Sequence, residues 1–145
     1  LSPSDYHRIH SPVSGKVKYF SYFSGKLWPV NSFGVNNIGG LFSLNERIIT
    51  PIKGEHGLMA LVKVGATIVG KISVGYGEFC SNSKKTTQLN LPIVPEKAYQ
   101  KGDEIGRFHL GSTVILVFEK DRFIPDGLKK GNKIKMGQLL GHFSS

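Results

Sequence analysis

The feature that most limits what this chain can fold into is how its apolar residues are spaced. No stretch keeps a helical period for long, and the apolar residues come in short runs that glycine or proline cuts off. Leu58–Val64 and Val114–Phe118 are the clearest runs, rich in aliphatic, β-branched and aromatic residues. Runs of that length and type form strands. The 18 glycines and 7 prolines among 145 residues supply the turns between them. The chain therefore reads as an all-β domain, rich in turns and long enough to bury a core. Val114–Phe118 shows no alternation before charge resumes at Glu119, which predicts a strand buried on both faces.

Lys16–Phe23 and Leu41–Ile52 read as further strands, the second with a polar entry at Asn45-Glu46-Arg47. Gly54-Glu55-His56-Gly57 would put His56 at an exposed hairpin tip. Asn31–Gly40 reads as a Gly/Asn-rich loop, and Trp28 as a partly buried core aromatic. Three turns share one pattern: Val64–Gly70, Lys101–Gly106 and Met136–Gly141. Each has a glycine at a tight turn, an aliphatic residue pointing inward, and a second glycine where backbone passes closely. The repeat predicts a barrel-like sandwich of two similar halves. Biotinyl and lipoyl carrier domains use hybrid-motif turns of this sort, but no lysine stands in a Met-Lys context at a hairpin tip.

A net charge of +9 favours an anionic partner, either nucleic acid or an acidic lipid surface. Charge does not choose between them. Lys84 and Lys85 in a polar loop, and Lys129, Lys130, Lys133 and Lys135 in a basic turn region, fit solvated loops or phosphate contacts. A lone cysteine, Cys80, excludes an internal disulfide and fits a reducing compartment. The longest apolar runs are too short to span a bilayer.

Gly111-Ser112 is the only Gly-Ser bond in the chain, and it stands just before the Val114–Phe118 run. A rigid strand would hold Ser112 at its start. Gly111 lacks a Cβ, so its backbone can strain and let the Ser112 hydroxyl reach the carbonyl before it. Attack there turns the amide into an ester; elimination then leaves dehydroalanine, which hydrolyses to a pyruvoyl group. The plainer account is an ordinary turn before a strand. His7 and His10, three residues apart, would face opposite ways on a flat strand but could converge in a turn. They could act as base and acid, or serve structure. A metal is not expected, because no recognisable ligand spacing surrounds them.

Four separated motifs occur in one order: His7-Arg8-Ile9-His10-Ser11-Pro12, Leu41–Arg47, Val64–Gly70 and Gly106–Thr113. In these the chain resembles the phosphatidylserine decarboxylases, from about Asp5 to beyond Met136. The resemblance implies a proenzyme that cuts itself between Gly111 and Ser112. Residues up to Gly111 would remain as the β chain, and Ser112–Ser145 would become a short α chain headed by a pyruvoyl group. The two pieces would stay associated, since the smaller is too short to make a core of its own.

The resemblance also implies residue roles. His10 matches the base of an Asp-His-Ser self-cleavage triad, taking the Ser112 proton; the matching Asp is expected upstream of Leu1. Phosphatidylserine would condense with the pyruvoyl ketone as a Schiff base, lose CO₂ and leave as phosphatidylethanolamine. His7 is the candidate proton donor or substrate contact. Thr113 and His109 are candidates for support. No metal is implied. Starting at Leu1 rather than Met, the chain is expected to be a fragment, a single catalytic domain whose N-terminal membrane-associated region would lie upstream of it. It would sit peripherally on the cytoplasmic face of a cell membrane or on an organelle membrane. A pyruvoyl decarboxylase of a soluble amino acid and a non-enzymatic basic β-barrel that binds nucleic acid are the alternatives, and a homo-oligomer is left open.

Overall fold

In the computed structural model the described residues are 1–145 apart from 3, 68–70, 82–85, 110 and 145. Ten strands and two short helices follow one another: β1 Arg8–His10, β2 Gly15–Phe23, α1 Ser32–Asn37, α2 Leu41–Leu44, β3 Arg47–Gly54, β4 Gly57–Gly65, β5 Ile72–Val74, β6 Gln88–Tyr99, β7 Glu104–Phe108, β8 Ser112–Phe118, β9 Phe123–Pro125 and β10 Gly141–Phe143. They form a five-stranded sheet ordered β6-β2-β3-β4-β8, a three-stranded sheet ordered β1-β7-β5, and a two-stranded ribbon of β9 and β10. Every strand pairing is antiparallel.

The chain is all-β, as its spacing predicts. The two larger sheets share one core. Val17, Phe20, Ile48, Ile52 and Leu61 come from the larger sheet, and Ile9, Ile72, Val74, Ile105 and Phe108 from the smaller. Alternation sets which side chains enter: in β4, Met59, Leu61 and Lys63 are buried, whereas Leu58 between them and the turn is exposed. Each large apolar side chain buried this way contributes roughly 1.5–3 kcal/mol. The sandwich is open, with sheets of five and three strands, and no closed barrel forms among the described residues.

Several local expectations change. β8 is not buried on both faces. It is the edge of the larger sheet and, among the described residues, pairs with β4 alone: Val117 on its outer face is 51% exposed, and on its inner face Val114 is 37% exposed while Leu116 and Phe118 pack against the core. An unbroken apolar run marks a strand whose two faces both meet apolar surface, and among the described residues the outer face of β8 is covered only in part, with Thr113 and Ile115 half-buried and Val117 exposed. Trp28, at 46% exposed, lies outside the core. Asn31–Gly40 contains α1, whose first turn is capped by the Asn31 side chain accepting from the Gly34 N–H at 3.0 Å. Leu41–Ile52 begins as α2 and becomes a strand only at Arg47.

Of the three repeated turns, Lys101–Gly106 follows the pattern, with Gly102 at φ +95° and Ile105 fully buried. Met136–Gly141 has its turn at Gly137, φ +83°, but Leu139 is exposed. Val64–Gly70 extends into residues outside the described set, as do Lys84 and Lys85. His56 is exposed at the β3–β4 tip, where it stacks on Phe143 with ring centroids 4.6 Å apart. Phe118, Phe123 and Phe143 form an aromatic cluster that ties the ribbon to the end of β8.

Candidate functional site

Ser112 opens β8 directly opposite Gly65, the last residue of β4. It is fully buried, and its Oγ has no hydrogen-bond partner among the described residues. Its main-chain oxygen accepts from the Leu1 nitrogen at 2.8 Å. An unpaired buried hydroxyl costs on the order of 1–3 kcal/mol, so its persistence calls for an explanation outside packing. No described atom lies within 4 Å of where a Cβ on Gly111 would stand. Thr113, half-buried, pairs with Val64.

The strand end facing Ser112 is fixed by residues from the Leu41–Arg47 motif. Asn45 is fully buried; its Nδ2 donates to the Gly65 carbonyl at 2.9 Å and to the Trp28 carbonyl at 2.8 Å, while its Oδ1 accepts from the Trp28 N–H. The Gly65 N–H donates to the Glu46 carbonyl at 2.8 Å. The Glu46 carboxylate accepts from the Tyr22 hydroxyl at 2.6 Å and from Ser81 Oγ at 3.2 Å. Burial, together with that carboxylate, raises the Tyr22 pKa. Gly65 is thus clamped through both its N–H and its carbonyl.

Both motif histidines have one tautomer written into their contacts. His7 Nδ1 donates to the Asp5 carbonyl at 2.5 Å, which leaves Nε2 with the lone pair, and that atom is buried with no partner among the described residues. The His7 carbonyl accepts from the Phe108 N–H at 3.0 Å, tying the histidine to the strand that leads towards the Gly-Ser bond. His10 Nδ1 donates to the Gly102 carbonyl at 2.6 Å, and its Nε2 accepts from the Tyr6 hydroxyl at 2.7 Å. The Tyr6 ring also stacks on His10, with centroids 5.7 Å apart. No hydrogen bond joins either imidazole to Ser112 among the described residues. His109 Nε2 lies 3.2 Å from Ser73 Oγ, and its N–H donates to the Lys71 carbonyl. Desolvation, with Lys71 and Arg107 nearby, lowers its pKa.

One buried group escaped the sequence reading. Lys63 sits inside the apolar Leu58–Val64 run and is fully buried. Its Nζ donates to Thr50 Oγ1 at 2.5 Å, Thr50 Oγ1 is 2.7 Å from the Tyr76 hydroxyl, and Nζ lies 5.5 Å from the Tyr76 ring centre. No carboxylate pairs with it among the described residues, and burial pulls its pKa down to about 7. The signal was present as a single charge in a period-two strand, at a position that alternation turns inward.

A groove of about 920 Å³ runs along β8. Val114, Leu116 and Phe118 line one side, Ile9 and His10 another, and residues 133–141 a third. Among the described residues no three His, Cys, Asp or Glu side chains cluster as a metal site, and no helix is long and apolar enough to cross a membrane.

Comparison with known proteins places these features in context. The family model described as phosphatidylserine decarboxylase matches residues 1–142. The chain is 46% identical over 142 residues to the phosphatidylserine decarboxylase proenzyme of Brevibacillus brevis (strain 47), covering 97% of this chain and 51% of the relative. It is 42% identical over 149 residues to that of Anaeromyxobacter sp. (strain K), covering 97% and 51%. To that of Acinetobacter baylyi it is 44% identical over 142 residues, covering 97% and 48%. The chain spans about half the length of the curated relatives it matches.

Proposed function

The chain belongs to the phosphatidylserine decarboxylase family, and from that premise we propose that it is the catalytic domain of a self-cleaving proenzyme. It converts phosphatidylserine to phosphatidylethanolamine with a pyruvoyl group made from Ser112. The observation that carries this reading is the Ser112 hydroxyl, buried without a partner among the described residues at the chain's one Gly-Ser bond. A residue kept only for turn geometry would be expected to satisfy or expose that oxygen.

Self-cleavage begins with Ser112 Oγ on the Gly111 carbonyl carbon, and His10 takes the hydroxyl proton. For this the Tyr6 hydroxyl must release His10 Nε2. The cut leaves residues 1–111 and 112–145 as two chains held by the β4–β8 ladder, which pairs Met59–Gly65 with Phe118–Ser112. The stacking of His56 on Phe143 adds a second contact across the cut.

The pyruvoyl group supplies an electron sink for the electrons released as the substrate carboxylate leaves as CO₂. The residues around it handle protons and orientation. His7 keeps Nδ1–H on the Asp5 carbonyl, so a proton gained by the reacting centre comes and goes at buried Nε2. Thr113 holds the cleavage-site carbonyl or the substrate carboxylate, and His109 supports the loop before Gly111. The basic surface keeps the domain at an anionic membrane face, cytoplasmic or organellar, each well-placed cation contributing on the order of 1 kcal/mol.

The deciding experiment is the intact mass of the full-length protein beside its Ser112→Ala variant. The expected result is two fragments parting at Gly111, the smaller blocked at its N-terminus and reducible by borohydride, with the variant uncut. A single uncut chain in both, from folded full-length protein, would remove the cofactor and with it the reaction.

A further inference from the structure

Alternation along the three-stranded sheet turns Ile9, Ile72, Val74 and Phe108 into the core and sends Arg8, Ser73 and Arg107 to the opposite face. The register sets these three side by side, with Arg107 opposite Arg8 in β1 and opposite Ser73 in β5. His109 continues the row. Its N–H donates to the Lys71 carbonyl and its Nε2 lies 3.2 Å from Ser73 Oγ, so Lys71 and His109 flank the end of the β5–β7 ladder. The proposed reaction leaves Arg8, Lys71, Ser73 and Arg107 unused.

Like charges placed opposite one another across a ladder repel. Glu104 offsets part of that repulsion, its carboxylate accepting from Arg8 Nη1 at 2.8 Å and from Arg107 Nη2 at 3.2 Å. Three cations against one carboxylate leave two positive charges uncompensated, and Lys71 has no ion pair among the described residues. Arg107 spends only Nη2 on a described partner. Ser73 Oγ has only long contacts, 3.2 Å to His109 and 3.5 Å to the Arg107 carbonyl, so its hydroxyl is free to turn to a better acceptor. The charges acting on the His109 imidazole, Lys71 and Arg107, are both positive. Lys71, Arg107 and His109 are exposed and Ser73 is half-buried, so a ligand can reach them all.

We propose that this face binds one phosphate monoester, its oxygens held by the Arg107 guanidinium, the Lys71 ammonium and the Ser73 hydroxyl beside His109. A monoester carries between about 1.5 and 2 negative charges at neutral pH, which matches the uncompensated pair, whereas a diester carries one. The planar guanidinium suits two of the oxygens at once. Bound phosphate also replaces repulsion at His109 by attraction, so the imidazole takes up its proton more readily. The site needs neither a cut chain nor a cofactor and stands apart from the decarboxylase reading. A soluble phosphate ester and a monoester lipid headgroup present the same chemistry to it.

The test titrates the full-length Ser112→Ala protein, in phosphate-free buffer, with glycerol 3-phosphate. Two-dimensional NMR follows the His109 ring, identified by its loss in His109→Gln, while calorimetry gives the affinity. Binding should saturate and the His109 midpoint should move up by about one pH unit. Arg107→Gln and Lys71→Gln, exposed changes whose fold is checked by circular dichroism, should each weaken binding about tenfold. Lys129→Gln with Lys130→Gln, outside this sheet, should leave it unchanged. Phosphatidylcholine vesicles carrying phosphatidate, set against vesicles carrying phosphatidylglycerol at matched charge, separate the two sources. A preference for phosphatidate that both glutamine variants abolish assigns a lipid headgroup, and binding of glycerol 3-phosphate alone assigns a soluble ester.

A His109 midpoint that saturating glycerol 3-phosphate leaves in place would overturn the site. An equal loss of affinity from the Lys129 and Lys130 changes would do the same, because it would mean diffuse surface charge. The midpoint measurement keeps every side chain of the site intact, so it decides the matter even where a glutamine variant fails to fold.

Discussion

The Tyr6 hydroxyl occupies His10 Nε2 at 2.7 Å, the one nitrogen on that ring able to accept a proton, since Nδ1–H is committed to the Gly102 carbonyl. Tyr6 therefore competes with Ser112 for the proposed base. Tyr6→Phe keeps the stacked ring and removes the competitor. An exposed hydrogen bond of about 1 kcal/mol corresponds to about fivefold, so self-cleavage of the full-length variant should quicken by about that factor. His10→Ala should slow it by about a hundredfold or more. The half-time of fragment appearance on denaturing gels reads both, and His10→Ala cutting at the wild-type rate would take the base role away from His10.

Lys63 gives the core a pH dependence. Its folded pKa is lowered to about 7 by burial, while in the unfolded chain it stays near 10.4. Between those values the unfolded state holds a proton that the folded state lacks, so stability rises with pH. Below about pH 7 both states are charged and the desolvation cost is borne in full. The slope should approach about 1.4 kcal/mol per pH unit between about pH 7 and 10. Above that, buried tyrosines with raised pKa, Tyr22 and Tyr76, work against it. Lys63→Met should be more stable at neutral pH and lack this slope. Urea unfolding of both proteins in the Ser112→Ala background, at several pH values, measures the difference; parallel curves would mean that Lys63 stays charged inside.

The sequence made the fold class legible because strand periodicity and turn glycines are local signals. β4 alternates as its residues dictate, and Gly54–Gly57 closes the hairpin as read. What stayed hidden depends on partners distant in sequence. Nothing within Val114–Phe118 reveals that β8 would pair on one side only. The short helices α1 and α2 are too brief to leave a period, and Asn31 capping the first was the available clue. At the site, Gly111-Ser112 and the paired histidines stood out as residue types. That His7 and His10 would each spend Nδ1 on a backbone carbonyl, and that Asn45 would clamp the residue opposite Ser112, required the tertiary structure.

His109 should titrate below an ordinary histidine, because burial disfavours its charge and Lys71 and Arg107 add repulsion. Its imidazole is then mostly neutral at pH 7, fit to exchange a hydrogen bond with Ser73 rather than to carry charge beside Gly111. Two-dimensional NMR of the ring protons should give a midpoint lower than that of a histidine in an unstructured peptide in the same buffer. Arg107→Gln and Lys71→Gln should each move it upward. A midpoint at or above that of the unstructured peptide would contradict the environment described.

Asn45 offers a way to separate positioning from stability. Removing its side chain strands the buried Gly65 carbonyl and frees the Trp28 segment, so Asn45→Ala should cost about 1–3 kcal/mol. Gly65 faces Ser112 across the ladder, so the same change should loosen the serine's approach to the Gly111 carbonyl even where the protein remains folded. The expected outcome is slower self-cleavage at a temperature well below the variant's unfolding midpoint, whereas Asn90→Ala, on the far edge strand β6, leaves the rate unchanged. Unfolding in the Ser112→Ala background and cleavage half-times in the Ser112 background give the two numbers independently. Slow cleavage that tracks stability alone, and recovers fully on cooling, would reduce Asn45 to a scaffold. Slow cleavage that persists in the folded protein would make it a positioning residue acting through Gly65.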